Sequence, residues 1–281
     1  MTGIGDTRYR QSMSESVGTG RTMRIVRAVL VLAALLPPAA RAEDAAIVRD
    51  LAPTGTLRAA INLGNAVLAR KGADGALSGV SVDLARALSE RLGVPLSLVP
   101  YDSAGAVSDT AASGNWDICF LARDPKRAEG VVFTAPYLVI EGSYLVPAGS
   151  PISATDAVDR EGVRIAVGRG SAYDLYLTRT IRHATLVRAP TSPAAIALFA
   201  ESGLEVAANV RQPLEAYAAA HPEVRMLPGR FMEIAQAMGV PKGRDAGATY
   251  LRRFVEAMKA EGFIAKALEA NGQTATVAPA E

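Results

Sequence analysis

The sequence contains few of the residues that most often carry enzyme chemistry. Its 281 residues include one cysteine and two histidines. A single cysteine cannot form an internal disulfide, and Cys119 lies in the apolar run 118–121, which predicts a small buried side chain rather than a nucleophile. His183 and His221 come at the ends of predicted helices, where we expect solvated side chains. These scarcities disfavour thiol and histidine chemistry.

Sequence motifs of hydrolase and nucleotide sites are also missing. The chain has no Gly-x-Ser-x-Gly elbow, no Walker loop and no His/Cys cluster with metal spacing. Gly168 and Gly170 follow a predicted strand, but Tyr173 occupies the position of the third glycine in a dinucleotide fingerprint and would hold helix and strand apart. The sequence therefore predicts no catalytic residue, no metal and no cofactor.

Charge of one sign is not in excess once the N-terminal segment is set aside. Residues 1–42 hold six of the 30 Lys and Arg residues and two of the 28 Asp and Glu residues. The remaining 24 basic and 26 acidic residues give a net charge near −2. A nucleic acid-binding protein needs a basic surface, so this balance argues against nucleic acid as a partner.

Long apolar runs are absent too, since none reaches the ~20 residues that a membrane-spanning helix requires. A shorter run, residues 28–36, follows a basic stretch at 21–27 and precedes a small-x-small site that ends at Ala42. That order is typical of a secretory signal peptide. We predict cleavage after Ala42 and a periplasmic mature protein, with Met23 as an alternative start.

What the sequence does contain is an alternation of apolar strands and helices. Residues 78–146 indicate a helix with Ser81 as its N-cap and Gly93 as its left-handed stop, followed by two strands around a second helix. Residues 163–227 indicate a second series of strands and helices. Such alternation predicts an α/β fold with a mostly parallel sheet flanked by helices.

Linker residues and the order of elements predict two lobes. Pro147 begins a stretch rich in proline and glycine after a predicted strand. We assign 43–143 to the first part of lobe 1, 144–231 to lobe 2, and 232–281 to a segment that returns to lobe 1 and ends in helices there. Ligands of open α/β sheets bind at the carboxyl ends of the strands, so we expect the ligand cleft between the lobes.

Four motifs carry a family resemblance by their order and spacing. They are G-x-L-x-G-x-x-V-D-L-A-x-A-L, L-G-V-P, G-x-W-D-I and P-K-R-A-E-G-V-V-F-T-A-P-Y. In this order they resemble the polar amino-acid class, family 3, of the periplasmic solute-binding proteins of ABC transporters. The resemblance covers most of the chain after the leader. It implies the two-lobe type II periplasmic binding protein fold.

The resemblance makes Arg127 the first expected ligand-binding residue. The family pattern has an arginine ahead of a Phe-Thr/Ser-x-x-Tyr motif, and Arg127 stands in that relation to Phe133, Thr134 and Tyr137. A guanidinium can hold a carboxylate through two parallel hydrogen bonds, which a lysine cannot reproduce. The alternative is a solvated arginine at a helix end.

Two loops at predicted strand ends complete the expected site. The loop Gly170-Ser171-Ala172 is similar to the family's Gly-Thr-Thr loop, which binds the ligand's carboxylate. A loop that opens a helix also presents backbone N–H groups and the positive end of the helix dipole. Ser171 would alternatively be an ordinary N-cap. Asn62 and Asn65, after the first strand, suit either ligand contact or turn formation.

The chain differs from the family pattern at two expected ligand contacts. Arg123 and Asp124 stand where a Ser or Thr usually precedes the arginine loop, and the acidic residue for the ligand amine is replaced near Asn209, with Arg211 close by. A buried ammonium needs a carboxylate or several acceptors. We therefore expect carboxylates without an amine to bind better than lysine or arginine, unless Asp124 supplies the missing acid.

The resemblance implies that the protein captures a small organic anion or amino acid by hinge closure. It would deliver this solute to the membrane permease of an ABC importer, as a monomer and without enzymatic activity. Two alternatives remain open. A dehydratase-like enzyme on the same fold would need an acid in the cleft, with Asp124 as the nearest candidate. A ligand-sensing subunit would dock on a receptor instead of a permease.

Overall fold

The computed structural model describes residues 38–281, with side chains from residue 43 onward. The predicted signal peptide at 1–42 therefore lies outside the residues whose side chains are described. Residues 44–281 form one compact unit. From residue 38 to the C-terminus, no helix is both long and apolar enough to cross a membrane.

Helices and strands alternate through the described residues. The helices are α1 Pro38–Leu51, α2 Val80–Leu92, α3 Ala104–Asp109, α4 Ala172–Thr180, α5 Ser192–Glu201, α6 Arg211–Ala220, α7 Asp245–Ala260 and α8 Phe263–Ala270. The strands are β1 Leu57–Asn62, β2 Arg70–Lys71, β3 Leu77–Ser78, β4 Leu96–Tyr101, β5 Ile118–Ala122, β6 Val131–Pro147, β7 Arg164–Gly168, β8 Thr185–Ala189, β9 Val206–Val210, β10 Val224–Met226, β11 Met232–Pro241 and β12 Thr276–Val277.

The main sheet joins two groups of parallel strands. Its order is β4-β1-β5-β11-β6-β9-β7-β8. Strand β1 runs parallel to β4 and β5, and β7 runs parallel to β8 and β9. Between the two groups, β11 and β6 run antiparallel to each other and to their outer neighbours. The predicted α/β class, with a largely parallel sheet flanked by helices, is confirmed.

One of the two central strands, β6, is much longer than the sequence predicts. Strand β6 runs over 17 residues, whereas the sequence indicates a strand only at 141–146. Pro136 interrupts the apolar pattern, but it lies where the register between β6 and β11 shifts, and such irregularities tolerate a residue without an N–H. These shifts fall between Gln236 and Ala237 and between Ala237 and Gly239.

Helix α2 begins differently from its prediction. Its N-cap is Gly79 rather than Ser81, which is buried within the first turn. A Cβ atom on Gly79 would lie 2.3 Å from the carbonyl oxygen of Leu68, so the close approach of the β2–β3 hairpin requires glycine here. The predicted stop is confirmed, because Gly93 is left-handed with φ of 65°.

The single cysteine and the two histidines lie in the environments that the sequence predicts. Cys119 is fully buried in β5. His183 is exposed, and the half-exposed His221 stacks on Tyr217 and contacts Glu223 through Nδ1 at 2.8 Å. The apolar core packs both faces of the sheet against the helices, as Leu84 and Leu251 illustrate, each with no exposed surface.

Candidate functional site

A small cavity lies at the carboxyl ends of strands from both groups of parallel strands. Strand β1 ends at Asn62 and β5 ends at Ala122, and both residues line it. Its volume is about 30 Å³, which holds one or two water molecules but is far below the roughly 300 Å³ of an ordinary ligand pocket. Its polar lining is Asn62, Asn65, Arg127, Ser171, Ser192 and Gln236. The cavity therefore needs to widen before it can admit an organic solute.

Arg127 connects the two sides of this cavity. It follows β5 in a single 3-10 turn and is only 3% exposed. Its Nη1 donates to the carbonyl of Ala122 at 3.0 Å, and its Nη2 donates to the carbonyl of Gly170 at 2.9 Å. Its Nε is buried and has no hydrogen-bond partner among residues 43–281. Burial lowers the pKa of the guanidinium to about 10, so it stays charged at neutral pH.

The loop between β7 and α4 is held in place by its own helix. Ser171 is the N-cap of α4 and accepts a hydrogen bond from the N–H of Asp174 at 3.0 Å. The carboxylate of Asp174 accepts from the N–H of Gly170 and from Arg188, both at 2.8 Å. Ser171 and Ala172 line the cavity. The first turn of α4 thus presents its positive end to the cavity from a fixed loop.

Asn62 and Asn65 form turn contacts and also line the cavity. Both are buried and line the cavity. The side-chain oxygen of Asn62 accepts from the N–H of Gly64 at 3.0 Å, and that of Asn65 accepts from the N–H of Val67 at 3.2 Å. These turn contacts fix the loop after β1 and leave the Nδ2 groups as the donors that each side chain can offer.

Two charged residues of the predicted site lie near Arg127 without lining the cavity. Arg123 is half exposed and contacts Glu281 at 3.3 Å. Asp124 is buried, but its carboxylate accepts from Arg179 of α4 and from the N–H of Lys126, both at 2.8 Å. Both side chains are therefore held by partners outside the cavity lining.

Two predicted residues near the end of β9 are also held elsewhere. Asn209 is buried with its amide turned to α5, where it donates to the carbonyl of Ser192 at 3.0 Å. Arg211 forms an ion pair with Glu141 and donates to the carbonyl of Gly229 at 2.6 Å. Of the three arginines Arg123, Arg127 and Arg211, Arg127 is the one that lines the cavity.

Gln236 lines the cavity but is not among the ligand-binding residues that the sequence predicts. It is 4% exposed, and its Oε1 is buried without a hydrogen-bond partner in the described part of the chain. It lies in β11, opposite Ala122 of β5. A polar residue within the apolar run 232–240 was the available signal, since buried amides are usually hydrogen-bonded.

A larger, open pocket lies on the other side of a close contact between Gly105 and Gly170. Its volume is about 470 Å³, and Arg127 lines both this pocket and the cavity, whereas Gly105 and Gly170 line this pocket alone. Its charged lining is mixed, with Asp109, Lys126, Glu129 and Arg169 besides Arg127. The open pocket is therefore placed to serve as an entrance to the buried cavity.

The groups that could react are not free to do so. Burial raises the pKa of the Cys119 thiol to about 12, so the thiol stays protonated. Asp124, the candidate acid, is committed to Arg179 and Lys126. Among residues 43–281, no three His, Cys, Asp or Glu side chains are grouped to hold a metal ion. The cavity offers hydrogen-bonding groups and one cation, which suit binding.

Part of the chain is similar in sequence to a curated amino acid-binding protein. The L-cystine-binding protein TcyJ of Escherichia coli (strain K12) is 27% identical over 126 residues. The match covers 40% of this chain and 42% of that protein. The chain therefore matches less than half the length of this relative.

Solved structures share the fold over a larger part of the chain. A solute receptor for L-cysteine of Neisseria gonorrhoeae has a TM-score of 0.70 and 22% identity, covering 81% of this chain and 92% of that chain. An amino acid ABC transporter substrate-binding protein from Streptococcus pneumoniae, bound to L-arginine, has a TM-score of 0.69 and 19% identity, covering 83% and 99%. An ancestral amino acid-binding protein, a precursor of cyclohexadienyl dehydratase, has a TM-score of 0.67 and 21% identity, covering 79% and 97%.

A family model matches most of the chain by sequence. Residues 57–273 match the bacterial extracellular solute-binding proteins, family 3. These residues include β1, both central strands, α8 and every lining residue of the cavity. The chain belongs to family 3 of the bacterial extracellular solute-binding proteins.

Proposed function

We propose that this protein captures a small carboxylate-bearing solute, an amino acid or a related organic acid, for an ABC importer. The observation that carries the proposal is Arg127, a buried cation with one unpaired N–H beside a cavity at the strand ends. A carboxylate suits that position because it accepts charge-assisted hydrogen bonds from a guanidinium. The first turn of α4 would add a second favourable interaction with the same negative charge.

Binding would proceed by closure of two lobes. We assign 43–143 and 232–281 to one lobe and 144–231 to the other, with β6 and β11 carrying the chain between them. Two contacts in the structure support this assignment: Arg127 donates to Gly170, and Asp124 pairs with Arg179, in each case across the assigned boundary. Both contacts would separate when the cavity widens, and a ligand bound to both lobes would favour the closed form.

We infer that the protein binds its solute without converting it. The acid that a dehydratase-like reaction would require is not supplied by Asp124, whose carboxylate is held outside the cavity lining. Binding is also what the relatives are described as doing, since L-cystine, L-cysteine and L-arginine are named in their descriptions. The membrane permease, the periplasmic location and a monomeric state belong to the same proposal.

A thermal-shift screen tests the proposed function. The protein, freed of ligand by unfolding and refolding, is heated with amino acids, hydroxy acids, keto acids and dicarboxylates. A true ligand at ~100 times its dissociation constant adds roughly 2.7 kcal/mol to the free energy of unfolding, which raises the melting temperature by several degrees. The proposal expects such a shift with at least one carboxylate. A shift with uncharged solutes alone would contradict it.

A further inference from the structure

Two residues that line the same cavity each have a buried polar atom without a hydrogen-bond partner in the described part of the chain. One is Nε of Arg127, a donor, and the other is Oε1 of Gln236, an acceptor. Buried polar atoms are hydrogen-bonded in the great majority of cases, and an unpaired one destabilises the fold. A donor and an acceptor left unpaired in one cavity are therefore best explained by a ligand that pairs with both.

Both residues are next to Ala122. Gln236 lies opposite Ala122 in the antiparallel pair of β11 and β5. The carbonyl of Ala122 accepts from Nη1 of Arg127 at 3.0 Å, so the guanidinium and the Gln236 amide flank one residue. The register between β11 and β6 shifts directly after Gln236. Irregularities of this kind re-aim a side chain and are enriched beside functional sites.

Other acceptors around the cavity are already used. The side-chain oxygens of Asn62 and Asn65 accept from loop N–H groups, and that of Ser171 accepts from the N–H of Asp174. The hydroxyl of Ser192 is hydrogen-bonded to Tyr173 at 2.7 Å. Within the described lining there is no Asp or Glu side chain. Among these side-chain oxygens of the lining, Oε1 of Gln236 is thus the one whose capacity to accept hydrogen bonds is wholly unused.

We propose that Gln236 is a specificity-determining residue that accepts a hydrogen bond from a donor next to the ligand's carboxylate. The inference rests on the proposed function, in which Arg127 holds that carboxylate. The ligand class is then the 2-amino or 2-hydroxy monocarboxylic acids, whose N–H or O–H pairs with Oε1. A 2-keto acid has no such donor and would leave Oε1 buried and unpaired.

This assignment changes one expectation drawn from the sequence. The preference for acids without an amine rested on the missing acid for the ligand amine near Asn209, and Oε1 of Gln236 is an acceptor for such an amine. Arg123 and Arg211, which would add positive charge, do not line the cavity. An amino group can therefore enter if an acceptor receives it. The expectation against lysine and arginine remains, because a second ligand cation would meet no carboxylate among the described lining residues.

The test uses matched acids that differ only at the second carbon. Alanine, lactate and pyruvate form one such set, and leucine, 2-hydroxy-4-methylpentanoate and 4-methyl-2-oxopentanoate form another. Titration calorimetry with refolded protein is expected to show the amino or the hydroxy member binding at least ~10-fold more tightly than the keto member. In Gln236→Leu this preference is expected to fall within ~3-fold, because the acceptor is gone.

Two further variants, Gln212→Leu and Gln236→Glu, test whether the effect is specific to Gln236 and whether the ligand is an amino or a hydroxy acid. The melting temperature of Gln236→Leu separates an effect on binding from an effect on folding. Gln212→Leu is the matched control, since Gln212 also has a buried unpaired Oε1 but lines a different groove; it is expected to keep the wild-type preference. Ligand-free Gln236→Leu is expected to melt at or above the wild-type temperature, because an unpaired buried amide has been replaced by an apolar side chain. Gln236→Glu is expected to favour the amino over the hydroxy member, since the new charge pairs with an ammonium.

The outcomes distinguish this inference from the function on which it rests. A keto acid that binds wild type as tightly as its partners, or a preference that survives in Gln236→Leu, overturns the role of Gln236. If Arg127→Lys still weakens all three acids in that case, the carboxylate site stands. If wild-type protein binds none of the acids, the proposed function fails and this inference fails with it.

Discussion

At the scale of single residues, Arg127 is the proposed contact for the ligand's carboxylate. Two of its nitrogens are used by the carbonyl groups of Ala122 and Gly170, one on each side of the cavity. The carbonyl of Gly170 is a weaker partner than a carboxylate, because charge-assisted hydrogen bonds are about twice as strong as neutral ones. An incoming carboxylate can therefore take over contacts that now hold the two sides together.

The first prediction concerns Arg127→Lys. Lysine keeps the charge but loses the planar fork, so we expect the affinity for the carboxylate ligand to fall by about 2 kcal/mol, or roughly thirty-fold. Titration calorimetry measures this change. Arg123→Lys is the matched control, since Arg123 lies four positions away, is half exposed and pairs with Glu281. Equal affinity in the two variants would show that Arg127 does not contact the ligand.

At the scale of the structural elements, the start of α2 depends on one glycine. Gly79 has φ of 125°, and a Cβ atom there would lie 2.3 Å from the carbonyl oxygen of Leu68 and 2.7 Å from Cα of Ala69. Both atoms belong to the backbone, so neither can move without shifting the hairpin. The β2–β3 hairpin and α2 are thereby packed against each other at a fixed distance.

The second prediction compares Gly79→Ala with Gly93→Ala by urea denaturation. Gly93 is left-handed but has no atom within 4 Å of an added Cβ. Its substitution is expected to lower the free energy of unfolding by ~1–2 kcal/mol, the ordinary cost of that backbone conformation. Gly79→Ala is expected to lower it by more than ~3 kcal/mol, because backbone overlap is added to strain. Equal losses would mean that the hairpin can move away from α2.

Local patterns predicted most helices and strands, because each depends mainly on neighbours in sequence. Helix α8 was predicted with the bounds that the structure gives, whereas the predicted bounds of β7 were one residue too early. Strand β6 was predicted too short because its first part pairs with β11, about 100 residues away, and Pro136 hides the pattern. The α2 cap was misassigned because Gly79 is required by a tertiary contact with Leu68.

The sequence could indicate lining residues of the cavity only where they follow the ends of predicted strands. Asn62, Arg127 and Ser171 follow strand ends, and sheets of this kind bring such ends together. Arg211 was misassigned because proximity along the chain does not show that Glu141 attracts its guanidinium. Gln236 was missed because its role depends on a register shift between β11 and β6, which no local pattern reveals.

At the scale of the whole molecule, the account requires that the two lobes separate and close. Gly170 has φ of 68°, and a Cβ atom there would lie 2.8 Å from Cα of Gly105 on the opposite side of the cavity. A side chain at this position would therefore obstruct closure. In the proposed mechanism the closed form binds the ligand, so any loss of its population would lower the apparent affinity by the same factor.

The third prediction is that Gly170→Ala shifts the protein toward the open form. We expect a larger radius of gyration by small-angle X-ray scattering at ligand concentrations that close the wild type, and an affinity reduced about ten-fold. Gly162→Ala is the control: Gly162 also has a positive φ of 79°, but no atom lies within 4 Å of its added Cβ. It should close as wild type does. Identical scattering from both variants would contradict closure at this contact.

The central claim is that a carboxylate-bearing solute occupies the cavity at Arg127. Native mass spectrometry of wild type and Arg127→Lys, each purified without unfolding from a periplasmic extract, tests it most directly. We predict that wild type carries a small-molecule adduct that is released on denaturation, contains a carboxylate and is much reduced in Arg127→Lys. An adduct without a carboxylate, or one retained equally by both proteins, would contradict the account.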